Sequence, residues 1–267
     1  MAKKLCGHAV SEFGLGTWGI GGSSSPDLRE DRASVEAIRY AIDRGINVID
    51  TAEMYAAGHT EELVGEAIEP YDRKSLFIIT KVWNTNLTHN RVLNSARQSL
   101  KRLRTQYVDL YLIHWPNPSV PIGETIAAME ELVSTGLARN IGVSNFSVAE
   151  MQGAIGAARY AKICANQIKY NYGTRQPETD IIPFCEKNSI EVIAYTPIMK
   201  GRAGGYRALK SMAEKYGVNP VQMSLRYVME RSLPIPKSTN ATHIDELLEA
   251  AKIPLTREDY ELLRNSR

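Results

Sequence analysis

Short runs of β-branched and aliphatic residues alternate with longer stretches of helical amphipathicity along most of the chain. Residues 31–44 carry Val35, Ile38, Ala41 and Ile42 at helical spacing, and Gly45 suits a helix C-terminus. A β-branched run at 46–49 follows and stops at Asp50. The same alternation predicts strands over 76–80, 108–113, 140–143, 163–165, 190–194 and 233–236. Between them it predicts helices over 60–68, 88–103, 123–135, 148–159, 177–187, 206–216 and 220–230, with two more over 241–251 and 257–264. The segments 5–10 and 12–17 straddle Gly7 and either pair as a hairpin or open a first strand; 19–26 is a Gly/Ser loop.

Strands alternating with helices imply a parallel sheet with right-handed crossovers. Apolar, non-alternating strands imply a sheet covered on both faces. About eight such units in 267 residues fit an α/β fold of the (β/α)8 TIM-barrel type, a single domain over 1–267, better than an open doubly wound sheet.

Composition narrows the function without setting it. Hydrophobic content of 43% and charged content of 23% are those of an ordinary globular protein. The net charge of +2 comes from bases interleaved with acids, so no nucleic-acid partner is expected. The N-terminal residues lack the apolar core of a signal peptide, and no apolar run is long enough for a bilayer. Cys6, Cys164 and Cys185, odd in number and widely spaced, read as reduced thiols of a cytoplasmic protein, with no disulfide and no metal site.

The informative positions are where strands end. Asp50, Lys81, His114 and Ser144 recur about thirty residues apart, and Gln167, Tyr195 and Lys237 close the later strands. Neighbouring strands lie roughly 5 Å apart, and in a barrel of this type the C-terminal rim carries the chemistry. Asp50, Lys81 and His114 are therefore expected to converge. Tyr55, five residues past Asp50, is close enough to fold back over the mouth. A tyrosine holds its proton until pH ~10, and an adjacent Lys81 ammonium is expected to lower that value. Asp50 would hold the lysine, and His114 would orient a carbonyl oxygen, making Tyr55 a general acid. No side chain in this set gives a hydride, so a cofactor is implied.

These motifs together resemble the aldo-keto reductase superfamily. The similarity runs through Asn-Val-Ile-Asp-Thr-Ala-Glu-Met-Tyr at 47–55 and Gly-His-Thr-Glu-Glu-Leu-Val-Gly-Glu-Ala-Ile at 58–68. It continues through Ile-Ile-Thr-Lys at 78–81, Asp-Leu-Tyr-Leu-Ile-His-Trp-Pro at 109–116, Gly-Val-Ser-Asn-Phe at 142–146 and Ile-Pro-Lys-Ser at 235–238. The resemblance implies NAD(P)H-dependent reduction of an aldehyde or ketone, with Asp50, Tyr55, Lys81 and His114 catalytic. It implies NADPH, or NADH, held by Gly16, Thr17, Trp18, Asp50, Ser144, Asn145 and Gln167, and by Tyr195, Thr196, Pro197 and Ile198. Lys237, Ser238, Thr239, Asn240 and His243 match the loop for the 2′-phosphate, where family members often carry arginine in place of His243. Trp18, Trp83, His114 and Trp115 are expected to face a small-molecule carbonyl or alcohol substrate. An alternative within the resemblance is a slow, cofactor-sensing regulatory subunit; outside it, a barrel using Lys81 as a Schiff-base nucleophile. No oligomeric state follows from the sequence.

Two further patterns are accidental. Gly14 to Gly19 satisfies the dinucleotide-binding glycine spacing but opens a loop, not a helix. Tyr206 and Lys210 have the Tyr-x-x-x-Lys spacing of short-chain dehydrogenases.

Overall fold

The computed structural model describes residues 3–266. A hairpin of β1 (Lys3–Leu5) and β2 (His8–Val10) precedes β3 (Leu15–Gly16). Then follow α1 (Asp31–Asp43), β4 (Val48–Asp50), α2 (His59–Ile68), β5 (Phe77–Val82), α3 (His89–Arg102), β6 (Val108–Ile113) and α4 (Ile122–Ser134). The chain continues with β7 (Ala138–Ser144), α5 (Val148–Ala157), β8 (Ile163–Lys169), α6 (Ile181–Lys187) and β9 (Glu191–Tyr195). It finishes with α7 (Arg207–Tyr216), α8 (Pro220–Met229), β10 (Leu233–Ile235), α9 (Ala241–Ala250) and α10 (Arg257–Asn265).

Strands β3 to β10 pair in sequence order, all parallel, as one eight-stranded sheet. Its two edges meet: the Gly14 and Gly16 amides donate to the Pro234 and Pro236 carbonyls at 2.9 Å each. That closure turns the sheet into the expected (β/α)8 barrel. Gly16 is required there, because a Cβ would lie 2.7 Å from the Ile235 carbonyl oxygen.

Side chains alternate between the two faces of each strand. Ile49, Ile78, Tyr111, Ile113, Ile141, Val143 and Val192 face the helices in one continuous apolar layer. Val48, Phe77, Ile79, Leu110, Leu112, Ala165, Ile193, Leu233 and Ile235 fill the barrel interior. Leu5 and Val10 of the hairpin join that interior cluster, so β1 and β2 cork the bottom of the barrel. The alternative left open by the sequence, hairpin or first strand, resolves into both. The hairpin turns at Cys6 and Gly7, and a two-residue barrel strand follows.

The cysteine reading is corrected. Cys6, in the hairpin turn, and Cys164, near the start of β8, are joined by a disulfide with Cα atoms 5.4 Å apart. A separation of 158 residues hid the pair, since only the folded cork brings the turn against β8. Cys185 is free and buried, and burial pushes its thiol up to about 12. Among the described residues, no helix is long and apolar enough to cross a membrane.

Candidate active site

The alternation that fills the barrel also builds its mouth. Along each strand the inward positions run from apolar residues to one polar residue at the rim. Phe77 and Ile79 lead to Lys81, Leu110 and Leu112 to His114, and Val48 to Asp50. Likewise Ala165 leads to Gln167, Ile193 to Tyr195, and Leu233 and Ile235 to Lys237. Period-two parity, more than strand ending, makes them converge. Lys81 and Gln167 lie inside β5 and β8, one and two residues before the strands stop, where the sequence had placed them after the ends.

Asp50, Lys81 and Tyr55 meet beneath the mouth. Lys81 is fully buried and its ammonium makes three bonds: to Asp50 Oδ2 at 2.9 Å, to the Thr51 carbonyl at 2.8 Å and to Tyr55 Oη at 3.2 Å. Three donors are all that an ammonium has. Asp50 is completed by Gln167, whose Nε2 donates to Oδ1 at 2.7 Å. Burial costs a charged group heavily unless it is paired. Burial pulls the lysine down, but Asp50 with Tyr55 outweighs it and holds the ammonium above its ordinary value. Burial raises the Asp50 carboxyl against the opposing pull of Lys81 and Gln167. Lys81 is thus a locked cation, which disfavours a nucleophilic amine.

Tyr55 departs from expectation in one respect. Burial raises its phenol above 10, and the lowering effect of Lys81 is the smaller contribution. The sequence showed the ammonium but not the depth at which the phenol sits.

His114 follows β6 directly. Burial, then Lys81, lowers its imidazole to about 3, so it is neutral throughout the neutral range. Its Nδ1 is buried without a partner. The ring stands edge-on to Tyr55 at 5.6 Å and to Trp83 at 5.1 Å, while Trp18 stands edge-on to Tyr55 at 4.9 Å.

These groups line a cavity of ≈590 Å³. It takes in Trp18, Tyr55, Trp83, His114 and Trp115 at one end. It runs past Gly16, Asp50, Ser144, Asn145 and Gln167 to Tyr195, Thr196, Pro197, Ile198 and Lys237. Along its floor Ser144 Oγ donates to the Gln167 carbonyl at 2.9 Å, and Asn145 Nδ2 to the His114 carbonyl at 3.0 Å. The Tyr195 hydroxyl donates to Asn145 Oδ1 at 2.9 Å.

Not every predicted residue reaches the wall. Thr17 is buried behind it, its hydroxyl donating to the Asp50 carbonyl at 2.8 Å. Ser238, Thr239, Asn240 and His243 lie beyond Lys237 at the amino end of α9, where Asn240 caps the helix by accepting from the His243 amide. Met54, Lys200, Ile235 and Pro236 line the cavity without having been singled out. Lys200 sits in an irregular turn that no periodicity could place. A larger cleft of ≈960 Å³ lies between α1, α2 and α3. Asp31, His59 and Glu62 pair with one another there, as do Arg32 and Glu36, and no strand-end residue enters it.

Comparison with known proteins bears on the fold and the family. The Aldo/keto reductase family model matches residues 12–267. A methylglyoxal reductase of Escherichia coli, YeaE, is 33% identical, with 96% of this chain and 90% of that protein covered. A solved thermostable aldo-keto reductase, in complex with the inhibitor epalrestat, is 42% identical with a TM-score of 0.95 and 98% of each chain covered. An aldo/keto reductase from Klebsiella pneumoniae, solved with NADP and acetate, is 35% identical with a TM-score of 0.88, covering 96% of this chain and 91% of that one. With a family match from residue 12 to the end and a barrel whose rim carries this site, the chain belongs to the aldo/keto reductase family and is an oxidoreductase.

Proposed function

We propose that the protein reduces a small aldehyde or ketone to the alcohol, reversibly, with NADPH as the reductant and Tyr55 as the proton donor. The observation that carries this reading is the bond from the Lys81 ammonium to Tyr55 Oη. Because Lys81 donates to that oxygen, the phenol's own hydrogen is free to donate into the cavity. A carbonyl oxygen placed between Tyr55 Oη and His114 Nε2 would accept from both. As charge grows on that oxygen, Tyr55 gives up its proton, and the fixed ammonium beside it stabilises the phenolate left behind. Asp50 keeps the ammonium in place, and neutral His114 orients the carbonyl without competing for the proton.

The cofactor fits the rest of the cavity. Amide groups of Asn145 and Gln167 and the Ser144 hydroxyl suit a carboxamide, the Tyr195 ring suits an aromatic face, and Lys200 and Lys237 suit phosphates. When bound, the nicotinamide supplies the hydride that these side chains lack. Thr196, Pro197 and Ile198 would lie along it, and Trp18, Trp83 and Trp115 would flank the substrate. The methylglyoxal reductase relative makes methylglyoxal the first substrate to assay.

The test is Tyr55→Phe, which removes one oxygen and leaves the ring. Reduction should fall by about three to four orders of magnitude, the upper range for a positioned acid. NADPH binding, followed by quenching of tryptophan fluorescence, should stay within twofold. Retained turnover in the variant would overturn the role given to Tyr55.

A further inference from the structure

Glu53 lies in the loop between Asp50 and Tyr55, and nothing in the chemistry above uses it. Its carboxylate Oε1 accepts from the Trp83 backbone amide at 2.6 Å and from Asn86 Nδ2 at 3.0 Å. Its own amide donates to the Lys81 carbonyl at 3.3 Å. Among the described residues it forms no ion pair: this half-buried carboxylate is spent on two N–H donors of the neighbouring loop. The effect is to continue the β4–β5 pairing past the ends of both strands, so that the Tyr55 loop and the Trp83 loop are tied at one oxygen. Asn117 extends the tie to the next loop, donating from Nδ2 to the Asn84 carbonyl at 2.8 Å.

Trp83 is the indole that touches His114. The other two indoles of the mouth, Trp18 and Trp115, are 49% and 41% exposed, and among the described residues no carboxylate holds their backbone amides. Of the three walls, the one against the carbonyl-orienting histidine is therefore the one anchored from the proton donor's loop.

We propose that Glu53 is a positioning residue for substrate selection: by holding the Trp83 backbone it fixes the gap between Trp83 and His114. That gap decides how large and flat a group beside the carbonyl can be accommodated. The proposal rests on the carbonyl-reduction reading of the same site. It assigns Glu53 no contact with substrate or cofactor. Oxygen acceptance, not charge, is what the position requires, since both bonds end on one oxygen.

The experiment compares wild type, Glu53→Ala and Glu53→Gln with methylglyoxal, which is small, and 4-nitrobenzaldehyde, which is flat and wide, each at saturating NADPH. Glu53→Ala is expected to raise KM for the aromatic aldehyde about tenfold, the scale of one lost hydrogen bond. Its kcat for methylglyoxal and its NADPH Kd, from tryptophan quenching, are expected to stay within twofold of wild type. Glu53→Gln, whose amide oxygen can accept the same two bonds, is expected to restore the aromatic KM. Should Glu53→Ala not fold, Glu53→Asp reads the same effect, with its carboxylate drawn back by one methylene. Equal losses for both aldehydes, or a Glu53→Gln variant as impaired as Glu53→Ala, would overturn the proposal. Wild-type protein that binds NADPH yet reduces neither aldehyde would instead remove the carbonyl-reduction reading, and the proposal with it.

Discussion

The Cys6–Cys164 disulfide gives a prediction whose size follows from the topology. It closes a loop of 158 residues across most of the barrel. In the chain-entropy picture, a cross-link of that span removes about 17 cal/mol/K from the unfolded ensemble, or about 5 kcal/mol at 25 °C. For 267 residues the entropy of unfolding near 60 °C is about 0.56 kcal/mol/K, from about 2.1 cal/mol/K per residue. Reduction, or the change Cys6→Ser, should therefore lower Tm by up to about 9 °C. Strain would make the drop smaller, and so would structure left in the unfolded chain. Folding itself should survive at 25 °C, because Leu5 and Val10 remain buried in the barrel floor without the bond. Reductase activity should survive too, since the bond lies at the end of the barrel opposite the mouth. The assay is a thermal melt with and without a phosphine reductant, paired with thiol titration of the unfolded chain. The titration should find one reactive thiol before reduction and three after. Three thiols in fresh, unreduced protein would refute the disulfide. An unchanged Tm after verified reduction would refute the claim that the long loop stabilises.

Two further predictions concern charge. His59 bridges Asp31 and Glu62 at 3.0 Å each, and although burial opposes it, those carboxylates raise its imidazole above 6.5. The folded value lies above the unfolded one, so the stabilisation is complete below pH ~6.5 and is lost as pH rises through the folded value. The Tm difference between wild type and His59→Gln should thus be largest near pH 6 and shrink toward pH 9; a constant difference would contradict the linkage. Lys237→Met should weaken NADPH about fivefold, or ~1 kcal/mol for an exposed ion pair, and leave NADH within twofold. Equal weakening of both cofactors in a fluorescence titration would remove Lys237 from the 2′-phosphate.

The barrel was legible because its strands are written as apolar runs, and those of β5 and β6 are buried along their whole length. Strand β3 was less legible: at two residues, Leu15–Gly16, it has no run to detect, and its identity rests on pairing with β4 and β10. The recurrence of Asp50, Lys81 and His114 was visible as spacing. The parity that points all three inward needed the registers. The raised Tyr55 phenol was not readable, since burial belongs to the assembled mouth and not to the local sequence. Glu53 and Lys200 escaped notice because loop geometry gives them their partners, and loops have no period. The cysteine pairing failed for a related reason: an odd count of distant thiols carries no trace of which two will meet.

The seam between β3 and β10 has a consequence for how the protein is made. Residues 14–16 leave the ribosome some 220 residues before their partners at 234–236. Until then β3 and β9 are bare edges, the kind of surface that recruits other strands. The loop with Trp18 and the segment with Lys237 come together only at this seam, so the mouth of the barrel is absent from every shorter nascent chain. Synthesis thus makes an open sheet first, and the closed barrel only once residues 234–236 have emerged. The cork at β1–β2 is free to be fastened some seventy residues earlier, once Cys164 has emerged.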